Sequence, residues 1–235
     1  MRTLLISASA IALAACGAPT ASTPTPEAPA VADATAGPAE PVAEVEYPDA
    51  GTYLMDPDHT SVTWTVKHLG LSNYTARFDD IDIQLVLNPE DIALSSLSAS
   101  IDPKSVDVVY KGNYLEHHAD TGFTSWKDDL SQSERWFNAN VFPAITFTAT
   151  NITKTGPDTA DVTGDMTLKG VTRPVTLNVK YNGVVNFPNA PDSDRVGFSA
   201  TTTIKRSDFG FDTMAAFVGD EVHVMIEAEF NEATE

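Results

Sequence analysis

Strict alternation of apolar and polar residues recurs six times between residues 61 and 230 of a 235-residue chain. It runs through SVTWTVK (residues 61–67), IDIQLVL (81–87), ITFTA (145–149), VTLNVKY (175–181), FSATTTI (198–204) and VHVMIEAEF (222–230). Successive side chains on a strand point to opposite faces, so each run specifies a strand with one dry and one wet face. Strands buried on both faces would read as unbroken apolar runs, so the pattern points to antiparallel sheet. Residues 51–55, 97–101 and 162–168 are weaker candidates, which brings the total to eight to ten strands. Turn chemistry separates many of them: Asn88-Pro89, Gly156-Pro157-Asp158, Asn182-Gly183 and Pro191-Asp192. Many amphipathic strands with few helices make a sandwich or a closed barrel, and closure also removes the edges that would otherwise pair. The expectation is an all-β, antiparallel barrel of about eight strands.

The dry faces carry Trp64, Val66, Ile83, Leu85 and Phe147 in the first half of this set. Leu177, Val179, Phe198, Ile204, Val224 and Ile226 complete it. An eight-stranded barrel is either filled by such side chains or holds one small ligand, and alternation does not distinguish the two. One stretch breaks the rule. Residues 106–140 show no clean alternation yet contain Tyr110, Tyr114, Phe123, Trp126, Trp136 and Phe137. A short helix is expected over residues 125–136, with Ser125 as N-cap and Asp128 three positions on. So long an excursion with so many aromatics reads as an ordered helical and loop lid over one end of the barrel, and it adds Trp136 and Phe137 to the cavity candidates.

The amino terminus reads differently. Arg2, an apolar run from Leu4 to Leu13, and Ala14-Ala15-Cys16-Gly17 have the form of an export signal over residues 1–15. The apolar run is too short to span a bilayer as a helix. LAAC resembles the lipobox of bacterial lipoproteins, which implies acylation of Cys16 and cleavage before it. Cys16 is the single cysteine of the chain, so neither an internal disulfide nor a thiolate zinc cluster is available. Residues 16–49 are rich in Pro, Ala and acidic groups, and no Lys or Arg occurs between Arg2 and Lys67. That composition reads as an extended, disordered tether leading to a barrel over residues 50–232. The expected location is the bacterial cell envelope, on a periplasm-facing or outer-membrane lipoprotein with a membrane anchor. The acidic excess, 33 Asp and Glu against 14 Lys and Arg, argues against nucleic acid as a partner.

Motifs for catalysis and metals are missing. The histidines, His59, His68, His117, His118 and His223, show no H-x-H or H-E-x-x-H spacing, so no metal is expected. Neither G-x-S-x-G nor a glycine-rich phosphate loop occurs. The expectation is a protein without catalytic residues.

Five further segments resemble the YceI-like family, in order and over about residues 51–230. DHTSVTWTVKHLG (58–70) is similar to its D-x-H-S-x-x-x-F-x-V-x-H-x-G, and FPAITF (142–147) to its Y-P-x-I-x-F. VTGDMTLKGVTRPV (162–175) follows its V-x-G-D-L-T-L-x-G-V-T-R-P-V closely. KRSDFG (205–210) and VGDEV (218–222) follow its R-S-D-F-G and V-G-D-x-V. The resemblance implies a lipocalin-like barrel that holds an isoprenoid or similar apolar chain, possibly a quinone, with the head near the mouth and no other cofactor. For that head group the candidates are His59, Lys67, His68, Arg173 and Arg206, joined by Asp129. Asp129-Leu130 stands where the family often has His-Leu, and the segment 106–129 looks longer than usual. Arg206 has a second reading as an ion pair with Asp208 or a neighbour, and His59 and His68 as satisfied histidines near strand ends. Two other functions stay open: an enzyme working on such a lipid at the mouth, and a packed, ligand-free envelope module.

Overall fold

The computed structural model describes residues 45–187 and 190–233, so the expected signal, Cys16 and most of the tether lie outside the described residues. Eleven strand segments follow in chain order: β1 (Gly51–Met55), β2 (Ser61–His68), β3 (Ser72–Phe78), β4 (Ile81–Leu87), β5 (Ser96–Ile101) and β6 (Val106–Asp107). After two helices, α1 (Tyr114–His118) and α2 (Trp126–Gln132), come β7 (Ile145–Lys154), β8 (Thr159–Leu168), β9 (Val171–Phe187), β10 (Ala190–Lys205) and β11 (Val218–Glu232).

Three pairs of segments are single strands bent at a corner. β1 and β2 lie end to end along one edge of β11, with Met55 opposite Phe230 and Ser61 opposite Glu227. β4 and β3 follow them on the next position, and β5 and β6 on the one after. These three bent strands and β7 to β11 make eight, each antiparallel to the next, and the pairing of β11 with β1 and β2 closes the ring. Aspartates serve the corners, where the ladder is interrupted. Asp56 Oδ1 accepts from the Asp58 amide at 3.0 Å, and Asp102 Oδ1 from the Lys104 amide at 2.8 Å. Short carboxylates of this kind supply the turn hydrogen bonds that a strand gives up on bending.

The alternation read from sequence is the burial pattern of the walls. On β4, Ile83, Leu85 and Leu87 are buried while Asp82, Gln84 and Val86 are exposed. The wet face carries threonine pairs across strands, such as Thr163 with Thr176 at 2.8 Å. β3 was not expected, because SNYTARF places only Tyr74, Ala76 and Phe78 inward, and alanine weakens the contrast. Two expected turns are strand instead. Asn182-Gly183 lies within β9, where Gly183 takes a φ of 129° beside a register shift, and Pro191-Asp192 lies within β10. The helix forms with Ser125 Oγ accepting from the Asp128 amide at 3.1 Å, but it stops at Gln132.

Gly164 on β8 shows how tightly the wall is packed at one point. A Cβ there would sit 2.5 Å from Phe147 Cζ and 2.5 Å from the Thr148 carbonyl oxygen. The second neighbour is backbone in the adjacent strand and cannot rotate away. Gly164→Ala is expected to cost about 1–3 kcal/mol of stability. A urea midpoint equal to that of the parent chain would contradict this.

The two ends of the barrel differ. One end gathers the 69–71 and 169–170 turns, the 206–217 loop and the excursion 108–144 that carries α1 and α2. Lys169 ties three of these together: its Nζ donates to the Glu134 carbonyl at 2.8 Å and lies 4.8 Å from the Phe211 ring centre. The chain enters at the opposite end. There the Tyr47 ring stacks on Tyr181 at 5.5 Å, its hydroxyl donates to the Pro157 carbonyl, and the Tyr181 hydroxyl donates to the Glu46 carbonyl at 3.0 Å.

Candidate ligand-binding cavity

The barrel interior is not filled. It holds a cavity of about 570 Å³ that runs between the two buried clusters of the core. That size lies within the usual range for small-molecule sites, about 300–1,000 Å³. The wall strands contribute Trp64, Val66, Ile83, Leu85, Phe147, Leu177, Val179, Phe198, Ile204, Val224 and Ile226, and the lid contributes Trp136 and Phe137. Every dry-face residue read from the sequence therefore faces one continuous apolar space.

Residues without a periodic signal complete it. Tyr74 and Phe78 come from β3, Trp126 and Leu130 from α2, and Phe211 and Met214 from the 206–217 loop. Phe137 sits at the centre of the aromatic group, 6.3 Å from Trp64, 5.5 Å from Phe78 and 5.6 Å from Phe211 between ring centres. The Trp126 indole N–H donates to the Tyr74 hydroxyl at 2.7 Å, while burial raises the Tyr74 pKa. The indole N–H groups of Trp64 and Trp136 are buried without a hydrogen-bond partner.

Among the lining residues, His68, Tyr110 and Met214 are the exposed ones, and all three belong to the lid end. That end is the mouth. His118 of α1 also reaches the cavity, stacked on Tyr114 at 4.8 Å, while its neighbour His117 is exposed.

The six head-group candidates do not converge. His68 lines the mouth. Lys67 alternates onto the wet face, and Arg173, although in phase with Val175 and Leu177, is exposed with Nη1 donating to the Thr172 carbonyl at 3.1 Å; neither lines the cavity. His59 lies on the β1–β2 corner, its Nδ1 3.1 Å from Asp56 Oδ2. Asp129 is buried inside the lid, not in the cavity wall, where it accepts from the Tyr114 hydroxyl at 2.6 Å and from Arg135 Nη2 at 2.9 Å. Burial and that hydrogen bond to Asp129 push the Tyr114 pKa up to about 12.

Arg206 touches the cavity but its donors are committed. Nε donates to the Gly219 carbonyl at 2.9 Å, Nη1 to Phe211 and Thr213 at 3.0 and 2.9 Å, and Nη2 to Val218 at 3.1 Å. Four of the five guanidinium N–H groups thus clamp the loop that borders the mouth. The ion pair with Asp208 is replaced by these carbonyls, because the loop folds back and turns its orphan acceptors onto the guanidinium.

Asp56, His59 and Glu229 bring ligand atoms within 4.8 Å of one another. The Arg195 guanidinium already lies 3.3 Å from Asp56 and 3.4 Å from Glu229, so the carboxylates are balanced by a side chain of the protein itself. Burial works against the Asp56 charge, but the hydrogen bonds from His59 and the Asp58 amide, with the charges of His59 and Arg195, hold its pKa below the ordinary value of 3.8. At the mouth loop, Asp220 is also lowered, chiefly by the Ser207 amide. The amide and hydroxyl of Ser207 each donate to its carboxylate at 2.9 Å. A depressed carboxylate stabilises the fold fully above its unfolded pKa, and that contribution is lost as pH falls through the lower folded value. Asp220→Asn is expected to flatten the fall of stability below about pH 4, read from urea midpoints at pH 3 and pH 6. An unchanged pH slope would remove Asp220 from the account.

A closed eight-stranded barrel around an apolar cavity, with a helical lid at one end, defines a binding protein of lipocalin-like architecture. The chain belongs to the YceI-like family, whose domain model matches residues 53–230. Protein YceI of Escherichia coli is 32% identical over 182 residues, 77% of this chain and 86% of that one. A UPF0312 protein of Vibrio cholerae is 31% identical over 180 residues, 75% and 87% of the two chains. Among solved structures, the Campylobacter jejuni YceI protein is 28% identical with a TM-score of 0.58, covering 72% of this chain and 90% of its own. Burkholderia cenocepacia BcnA shares the fold at 24% identity and a TM-score of 0.59, covering 77% of this chain and 99% of its own. A domain from Saccharophagus degradans, described as polyisoprenoid-binding, shares it at 14% identity and a TM-score of 0.50, covering 79% and 100%.

Proposed function

We propose that this protein binds one long apolar lipid, an isoprenoid or quinone-like chain, inside the barrel and sequesters or carries it in the bacterial cell envelope without transforming it. The observation that carries the reading is the continuous apolar cavity of about 570 Å³ beneath the lid. Burying about 400 Å² of isoprenoid at about 25 cal/mol/Å² releases about 10 kcal/mol gross. Ordering the chain and losing its free motion return part of that. The fold shared with a polyisoprenoid-binding domain is consistent with such a ligand.

The mouth favours an uncharged head. Arg206 is spent on carbonyls, and neither Lys67 nor Arg173 lines the cavity, so none of the cations expected from the sequence is placed to neutralise a diphosphate. His68 and Tyr110 offer single hydrogen bonds suited to a carbonyl or hydroxyl head. On this reading residues 1–15 direct export and acylated Cys16 anchors the chain, which keeps the binder beside the membrane where such lipids reside. Native mass spectrometry of protein purified from its own envelope, with extraction of the bound lipid, is the direct test. One co-purified apolar chain per barrel is expected. A barrel that carries none and takes up no added polyprenol or quinone would sink the reading.

A further inference from the structure

We propose that the mouth end of the barrel docks on the surface of a lipid bilayer, so that the ligand passes between membrane and cavity without crossing water. This rests on the cavity being a lipid site, and it names the surface from which that site is loaded.

Large apolar side chains stand in solvent around the mouth. Leu71 is 84% exposed, Phe217 50%, Leu69 49% and Met214 47%. They lie on two loops locked together, since the Leu69 amide donates to the Phe217 carbonyl at 2.7 Å and the Phe217 amide to the Met214 carbonyl at 2.8 Å. Two of them sit in left-handed backbone, Leu69 at a φ of 53° and Met214 at 56°. That conformation suits glycine or asparagine and disfavours bulky residues, so local folding does not explain leucine and methionine at these places. Contiguous apolar surface of this kind marks a contact with another apolar phase.

Charge points to which phase. The mouth is bordered by LGLSNYTA (69–76), VVYKGNYL (108–115) and TMAAFVG (213–219). These three stretches contain no carboxylate and one cation, Lys111, in a chain with 33 Asp and Glu. Carboxylates resume just outside these tips, at Asp208, Asp212 and Asp220 and at Glu116 of α1, so the uncharged tips suit a zwitterionic bilayer surface rather than an anionic one. A bilayer also continues the apolar path of the cavity, whereas a protein partner would have to supply a lipid conduit of its own. The chain geometry allows the approach. Val45 enters at the end opposite the mouth, and the 29 peptide steps from Cys16 to Val45 reach at most about 100 Å when extended. The 15 residues of β11 rise about 50 Å, so an anchored barrel can turn its mouth to the membrane.

The test uses the processed chain, residues 16–235, carrying Cys16→Ala so that no acyl group contributes. Its flotation with phosphatidylcholine vesicles is compared with that of the same chain carrying Leu71→Glu and Phe217→Glu, and of a control carrying Leu94→Glu, an exposed position at the opposite end. The parent and the control are expected to float alike, and the double variant at least tenfold less. Equal flotation of parent and double variant, or none of the parent, overturns the docking surface. So does a parent dimer that the double variant dissociates while flotation is unchanged, which would make the rim a contact between copies. Polyprenol binding measured without vesicles is expected to be the same in all three chains. Its loss in the parent would overturn the cavity reading and leave the flotation result standing on its own.

Discussion

Arg206→Met is expected to remove about 3–5 kcal/mol of stability, the loss typical of deleting one member of a buried charged network. Arg206 is 7% exposed and its charge is dispersed over four backbone carbonyls, from Phe211, Thr213, Val218 and Gly219. Those oxygens belong to two arms, the 206–217 loop and the first two residues of β11. Methionine fills the volume but leaves all of them facing apolar surroundings without a donor, and each such acceptor costs about 1–3 kcal/mol if it cannot reach water. The loop therefore opens to solvent, and hydrogen exchange should accelerate first at residues 210–219. Arg206→Lys keeps the charge but replaces a planar fork by a single ammonium, which cannot span both arms, so it should recover less than half of the loss. A guanidinium-chloride midpoint for Arg206→Met within 1 kcal/mol of the parent would remove the clamp. The same variant separates structure from recognition: a head-group cation would lose lipid affinity at unchanged stability, whereas the clamp loses stability first.

The chemistry that made the barrel legible is the same that hid its mouth. A wall strand repeats one decision every two residues, which is why Ile83, Leu85, Leu177 and Val179 were assigned to the interior from spacing alone and line the cavity. Spacing did not decide between a filled interior and an empty one, because that depends on the summed volumes of residues brought together by closure of the ring. Short or alanine-bearing runs such as β3 fell below the contrast that the reading needs, and with them Tyr74 and Phe78. Loops have no period, so Phe211 and Met214 gave no signal. Charge was the least transferable guide. Arg173 and Lys67 were nominated for a head group by residue type; alternation puts Lys67 on the wet face, whereas Arg173 shares the phase of Val175 and Leu177 yet is exposed and does not line the cavity. Asp129 was nominated by its place beside the paired aromatics, but the lid folds so that its carboxylate joins Tyr114 to Arg135 and helps hold α1 against α2.

Those two halves meet in one physical division of labour. The bent strands and closed ring stabilise a void that a packed core would not tolerate, since the ladder holds the walls apart while backbone hydrogen bonds stay satisfied. The mouth is held by polar fasteners instead: the Arg206 clamp, Lys169 across to Glu134, and Asp129 within the lid. On the proposed reading, a ligand entering at this end passes the lid and loop and leaves the sheet undisturbed.

Filling the void should separate binding from folding. Ala200 lies in mid-strand on β10, opposite Val179 on one side and Ile226 on the other, and its side chain faces the cavity between the two buried clusters. Ala200→Trp directs an indole toward the cavity that Ala200 lines, whereas a methyl group at Gly164 is directed at the backbone of the adjacent strand. Stability should stay within about 1 kcal/mol of the parent, because added packing offsets any rotamer strain. Polyprenol affinity should fall at least 100-fold, which corresponds to about 2.7 kcal/mol, because the chain can no longer pass from the mouth to the far end. Titration by calorimetry and thermal unfolding on the same preparation give both numbers. Retained affinity with retained stability would mean that the ligand sits elsewhere. Destabilisation by 3 kcal/mol or more would mean that the interior behaves as a close-packed core, which is the ligand-free barrel. Only the paired result, a folded barrel that has lost its lipid, follows from a cavity whose emptiness is its function.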